Sequence, residues 1–453
     1  MMLQSSKSQP RAHILHIPPQ PTPLLGRAEE VAEIIGRLTD PACRLLTLLG
    51  PGGIGKTRLA IQATFEARTY FAAGVCLVNL QPIESVNFLA TAIATALDVS
   101  LRGSEEPDLQ LLTYLSDKQV LLVLDNFEQL IGQGGTVLLS SILEICPLVK
   151  LLVTSHEALN LQEEWLFQVQ GLSFPDSAQD SPAETDEPKP YGAIQLFVER
   201  ALRVRRDFSL EDEYADVVRI CQLVEGTPLA LELAASWVKT LSGQVIATEI
   251  QRSLDFLTTH LRNVPERQRS MRAIFDYSWQ LLSEEEQGVF RRLSVFRGGF
   301  DRIGAERVAG ASLSMLSALV DKSLLRGEAE GRYQIHELLR QYAAEQLARS
   351  ASDIAHAYDR HCAYYADFLQ QRAGDIESRR QREAIREISA DLENIRAAWQ
   401  WAVQTAHIES LHKSIYPLQF YFDAQGRYLE SLAAFEQAVQ SLGHQPSHVK
   451  RFL

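Results

Sequence analysis

Between residues 44 and 154 the apolar positions fall in two alternating rhythms. Short unbroken runs at 44–49, 74–80, 120–124 and 150–154 are the length of strands covered on both faces. Between them, at 86–97, 109–115 and 137–145, apolar residues recur every three to four positions, the period of a helix with one buried stripe. Such alternation predicts a parallel sheet with helices on both faces, and such sheets hold their ligands at the carboxyl ends of the strands. An opening helix is expected from about residue 28 to 38, which places this domain at 24–172.

The rhythm changes after a break. Residues 173–190 carry four prolines and five acidic residues with little apolar content and read as a linker. From 191 to 262 only the helical period remains, with Ala193, Leu196, Phe197 and Ala201 on one face, which predicts a small helical domain. Residues 263–349 add two strand-like pieces, 323–325 and 332–335, across a glycine-bearing turn, a pattern that fits a winged helix. From 350 to 453 the chain reads as helical throughout. There Gly426, Tyr428, Ser431, Phe435 and Ala438 stand at the spacing of the second half of a tetratricopeptide repeat, and 391–399 resembles another helix-pair unit. Stacks of this kind need about three repeats. A longer protein, or a partner that caps the open end, is therefore expected. The first 23 residues, with five prolines, read as an extended arm.

Composition narrows the function classes. The net charge of -13 disfavours non-specific attraction to nucleic-acid backbones. The five cysteines are scattered and odd in number, which excludes a disulfide framework or zinc site as the organising principle and leaves buried thiols. No apolar run reaches the roughly 18 residues of a membrane span, and no basic-then-apolar leader opens the chain, so a cytoplasmic protein with no membrane partner is expected.

The chemistry concentrates where strands end. Residues 50–57, GPGGIGKT, match the phosphate-loop pattern at every fixed position, between a strand run and a helical one. Gly50, Gly52, Gly53 and Gly55 let backbone N–H groups, including that of Ile54, converge on one centre, and the helix N-terminus at Lys56, Thr57 and Arg58 adds partial positive charge. Lys56 is expected to reach the β- and γ-phosphates and Thr57 to hold Mg2+. The run 120–124 ends in Asp125, which a strand would aim at the loop and which is expected to share that metal ion; the alternative is a capping aspartate. Glu128 is the nearest carboxylate able to orient a water, or else a solvated helix residue. His156 follows the run 150–154, where phosphate-loop enzymes often place a group that contacts the γ-phosphate, or else it is a surface histidine.

Taken in order, LLGRAEE at 24–30, the phosphate loop, LLVLDNFE at 121–128, LLVTSH at 151–156, GTPLALELAA at 226–235 and YQIHELLRQYA at 333–343 resemble the signal-transduction ATPases with numerous domains, of the NB-ARC type. The resemblance runs from about residue 20 to the C-terminus. It implies ATP or ADP as ligand, Arg27 near the base and sugar, Pro228 against the adenine and His336 aimed at the β-phosphate of ADP. Each of the last two also has a structural reading: Pro228 as a helix-start residue and His336 as a satisfied core histidine. His156 departs from the Arg common in that class and Asn126 from the second Asp of its eukaryotic branch, which weakens the case for rapid hydrolysis and leaves a slow ATPase at most. The expected function is a switch, closed with ADP and assembling with itself when ATP is bound, with a protein or small-molecule inducer at the C-terminal helices. The rivals are a continuously cycling motor or loader ATPase and a DNA-binding regulator acting through the winged helix; direct nucleic-acid binding is not expected.

Overall fold

The computed structural model describes residues 14–15, 17–18, 20, 22–83, 85–101, 105–176, 191–259, 269–328 and 331–442. The chain divides into two compact units, one of residues up to Ser278 together with Asp321–Ser323, the other of Trp279–Val320 with the remainder.

The first unit is built on a parallel sheet. Strands β1 (Ile14–Leu15), β2 (Leu45–Leu49), β3 (Gly74–Asn79), β4 (Val120–Asp125), β5 (Lys150–Ser155) and β6 (Glu164–Gln168) take the spatial order β1-β3-β4-β5-β2-β6. The four expected strands are present, and their runs are continuous because both faces are covered: β2 and β4 are buried at every position. Two further strands lie at the edges. β6 carries Trp165 and Leu166 turned to solvent, so its pattern does not read as a core strand. Ile14 and Leu15, expected in an extended arm, instead pair with Val75 and Cys76. The order has one consequence for chemistry. β5 separates the strand that leads into the phosphate loop from the strand that ends in Asp125, so the end of β5 faces both.

Four helices of the helical stretch, Gly192–Val204, Leu210–Leu223, Pro228–Ala235 and Gly243–Arg252, form the lid. They meet the loops that flank the sheet backbone to backbone. A Cβ on Gly26 would lie 2.7 Å from the Gly192 Cα. One on Gly171 would lie 1.9 Å from the Glu225 carbonyl oxygen, and one on Gly226 2.1 Å from that of Leu172. Leu172 N–H donates to the Gly226 carbonyl across the same joint at 2.9 Å. Helix Met271–Gln280 then carries the chain from this unit into the next.

The second unit opens with a winged helix. Ser283 and Glu286 form a reciprocal capping box that starts helix Glu284–Leu293. Short helix Arg302–Gly304 runs into the π-helical turn Ala305–Ala309, and helix Leu313–Asp321 follows. The wing is a three-stranded antiparallel sheet of β7 (Gly299–Asp301), β8 (Arg326–Gly327) and β9 (Arg332–Gln334), ordered β7-β9-β8. The first wing strand starts at Arg326 rather than within 323–325, because Leu324 and Leu325 are buried in the core. Beyond helix Glu337–Leu347 come helices Ala351–Ile376, Gln381–Ala390, Leu392–Thr405, Ile408–Ala424 and Tyr428–Leu442. Phe435 meets Trp399 edge to face at 5.4 Å, and Ala438 is buried, so part of the repeat-like spacing is used for packing.

Asp391 and Asn394, from the helix-pair stretch, bind the wing to these helices. Asp391 receives Arg332 of β9 through both carboxylate oxygens at 3.1 and 3.0 Å, and the Tyr365 hydroxyl at 3.1 Å. Asn394 donates to the Gly299 carbonyl at 2.8 Å and to Asp391 at 3.2 Å, and accepts the Arg297 N–H at 2.6 Å. His361 lies fully buried beside them, its Nε2 3.4 Å from the Asn394 oxygen. A polar network inside a core is stable only when its members are paired, and here nearly every donor has an acceptor.

Candidate functional site

The end of β2 turns into the phosphate loop because glycine permits it: Gly53 and Gly55 take φ of 81° and 99°, a region that strains other residues. Gly55 caps helix Lys56–Ala67. The Ile54 side chain goes down into the core, with no exposed surface.

Lys56 is buried, and its Nζ donates to the carbonyls of Gly50 at 2.6 Å and Pro51 at 3.2 Å. Burial lowers its pKa to about 8, against the pull of the Glu128 and Asp125 carboxylates. The Thr57 hydroxyl donates to Asp125 Oδ1 at 2.7 Å and the Thr154 hydroxyl to the same oxygen at 2.6 Å, while Asn126 Nδ2 reaches Oδ2 at 3.2 Å. Burial raises the Asp125 pKa, and the two threonine hydrogen bonds oppose the rise. A hydroxyl and a carboxylate this close form a hard-oxygen pair that suits Mg2+ completed by phosphate and water. Among the described residues there is no cluster of three or more histidine, cysteine or carboxylate groups that would cage a metal by itself.

Glu128 is buried at the start of helix Glu128–Ile131 rather than solvated, and its Oε1 lies 3.8 Å from His156 Nε2. His156 is not a surface residue either. Its Nδ1 lies 3.4 Å from the Ser278 hydroxyl, and the Tyr277 ring meets it edge-on at 6.3 Å.

One cavity of about 220 Å³ is lined by Gly52, Lys56, Thr57, Asn126, Glu128 and His156, with Arg58, Pro228, Leu229, Glu232, Ile274 and Tyr277 completing its wall. The Gly52 position lies beside both His156 and Ile274, and the Gly53 position beside both Leu229 and Ile274. Pro228 opens helix Pro228–Ala235, so the Leu229 N–H points outward and donates to the Gly53 carbonyl at 3.2 Å. The lid helix is thus anchored on the loop itself. Arg58 Nη2 donates to Thr22 and Pro23, which holds residues 22–23 beside the cavity.

Arg27 and His336 each have hydrogen bonds of their own. Arg27 is buried beneath the loop, where it donates to the carbonyls of Ile54 at 3.1 Å and Gln170 at 2.7 Å and pairs with Glu30. These bonds brace the loop. His336 lies in the second unit, buried at the N-cap of helix Glu337–Leu347, and its Nδ1 accepts the Leu338 N–H at 3.2 Å. That bond places the proton of the neutral ring on Nε2, making that nitrogen a donor. Ile274, Tyr277, Leu229 and Glu232 are lining residues the sequence reading did not reach. Leu229 and Glu232 sit in the same stretch as Pro228 and were within reach; Ile274 and Tyr277 carry no local signal beyond helical periodicity.

Comparison with known proteins adds relatives of two lengths. A family model described as a winged helix-turn-helix domain matches residues 282–348. The Mycobacterium tuberculosis protein Rv0890c, described as an HTH-type transcriptional regulator, is 34% identical over 391 residues, which cover 83% of this chain and 42% of that one. The chain thus spans less than half the length of that regulator. The uncharacterized protein Rv0894 of the same organism is 32% identical over 356 residues, 75% of this chain and 86% of its own length. Among solved structures, a STAND protein with a tetratricopeptide repeat sensor, PH0952 from Pyrococcus horikoshii, aligns with 94% of this chain and 58% of its own at 17% identity and a TM-score of 0.33.

Proposed function

The chain belongs to one family with these mycobacterial relatives, and on that premise we propose that it is a STAND-type phosphate-loop NTPase, a switch controlled by an adenine nucleotide. The observation that carries the reading is the enclosure of the phosphate loop. Elements from three separate stretches of chain, the sheet edge, the lid helix at Pro228 and helix Met271–Gln280, converge on one cavity. A ligand held by all three is sensitive to their arrangement, and the arrangement to the ligand.

In this reading the backbone N–H groups of residues 52–57 and Lys56 hold the phosphates, and Pro228 lies against the adenine. Thr57 and Asp125 are the residues that would hold Mg2+, which when bound supplies charge neutralisation at the phosphates. His336, a donor at Nε2, is assigned to the β-phosphate of ADP. ADP favours the closed form, ATP the form that assembles with further copies, and an inducer acts at the C-terminal helices. A nucleotide shifts such an equilibrium only through its difference in affinity for the two forms, about 1.4 kcal/mol for each tenfold.

Glu128 beside His156 leaves room for hydrolysis, and a cycling ATPase is the second reading. Steady turnover well above about one per second would favour it over a switch. For a DNA-binding winged helix the helix that would enter the groove is Leu313–Asp321, which contains no lysine or arginine. Phosphate contacts of that helix would therefore lack their usual cations, which argues against the third reading.

The experiment is to denature the purified protein and identify the nucleotide released. One equivalent of ADP per chain is expected. A protein that neither carries nor binds adenine nucleotides would end the proposal.

A further inference from the structure

We propose that Ile274 is the residue by which this site distinguishes a nucleoside triphosphate from a diphosphate. The proposal rests on the nucleotide reading above and concerns the end of the cavity beyond the β-phosphate.

Asp125 and Glu128, the carboxylates suited to holding a metal ion and orienting a water, mark the side on which the terminal phosphate of a bound nucleotide lies. Gly52 is on that side: a Cβ built on it would lie 3.5 Å from His156 Cε1. The same Cβ would lie 2.1 Å from Ile274 Cγ2, and one on Gly53 would lie 3.6 Å from Ile274 Cδ1. The isoleucine therefore rests directly on the loop backbone, in space that is open only because residues 52 and 53 have no side chains. Its side chain is buried, with Tyr277 next to it in the wall of the cavity.

A terminal phosphate brought here has Lys56, Asn126 and His156 in the cavity wall as donors, but on the loop side it meets the Ile274 methyl groups, and an oxygen packed against them gains no hydrogen bond for the water it loses. A diphosphate ends before this point and leaves the isoleucine seated. A triphosphate has to displace it. Ile274 belongs to helix Met271–Gln280, whose last residues begin the second unit, so its displacement moves the covalent link between the units. The steric discrimination and the switching motion are then one event, and the differential affinity that a switch requires has a named source.

The test is titration calorimetry on the full chain, freed of bound nucleotide, with ADP and with a non-hydrolysable ATP analogue, both with Mg2+. Ile274→Ala is expected to improve analogue affinity relative to ADP at least tenfold while ADP affinity changes less than threefold. Ile274→Val removes one methyl group and is expected to shift the ratio the same way by about threefold; it carries the test if the alanine variant does not fold. A ratio unchanged within twofold in a folded variant, or equal changes for both ligands, overturns the proposal while the site itself stands. A wild-type protein that binds neither ligand overturns the nucleotide reading and this proposal with it.

Discussion

Asp125 in the first unit and Asp391 in the second are both buried carboxylates that accept several hydrogen bonds, and they differ in what donates them. The hydrogen-bond donors to the Asp125 carboxylate are two threonine hydroxyls and an asparagine amide, all neutral, and burial holds its pKa above the usual carboxylate value. Asp391 has the Arg332 guanidinium across both oxygens, in addition to Tyr365 and Asn394. A carboxylate surrounded by neutral donors retains attraction for a cation; one already paired in two-point geometry has little left. The contrast separates a site built to receive something from a joint built to stay shut.

The contrast has measurable consequences, and the largest is expected at the joint. Asp391→Ala strands a partly buried guanidinium and should cost about 3–5 kcal/mol in denaturant unfolding of the second unit, with nucleotide affinity changed less than about twofold. Replacing both partners, Asp391→Leu with Arg332→Met, should recover much of that loss. A comparable fall in nucleotide affinity would break the distinction.

Lys56→Ala should do the reverse. Nucleotide affinity is expected to drop about 100-fold, roughly 2.7 kcal/mol, in calorimetric titration. The melting temperature of the nucleotide-free protein should not fall, because burial of the ammonium opposes its charge in the folded state. A drop of several degrees would mean that Lys56 is structural.

Acid should find the joint first. Burial lowers the His361 pKa to about 4, below its unfolded value, so the folded chain binds fewer protons than the unfolded one between these limits. The stability associated with the neutral ring is complete above about pH 6.5 and is lost as pH falls toward 4, roughly 2 kcal/mol of it by pH 5. His361→Leu should flatten that part of the unfolding profile by close to one proton; an identical profile would remove His361 from the account.

The smallest effect lies at the loop. Bound phosphates favour charged Lys56, so binding between pH 8 and 9 should take up a proton. Affinity should weaken by at most about tenfold per pH unit above 8. Calorimetry in two buffers of different ionisation enthalpy measures the uptake, and its absence would point to a lysine already charged by other means.

How far the sequence could be read depended on how local each signal was. The loop and β4 were legible because their residues stand at fixed spacing in runs that burial makes unbroken. β6 was not, since an edge strand with Trp165 and Leu166 in solvent has no core-facing pattern. The stretch 391–399 reads only as a helix-pair unit, and only the tertiary fold reveals that Asp391 and Asn394 are buried in it. Ile274 shows the same limit in reverse: helical periodicity marks it as buried but cannot say that its neighbour is Gly52. Arg27 was read toward the nucleotide by resemblance, and its hydrogen bonds go to Ile54 and Gln170.

The glycine contacts between lid and sheet carry a last, mechanical consequence. At Gly26, Gly171, Gly192 and Gly226 the lid and the loops that flank the sheet touch through α-carbons and carbonyls. Any larger residue there would have to push backbone aside, so the closeness of the two layers is set by the absence of four side chains.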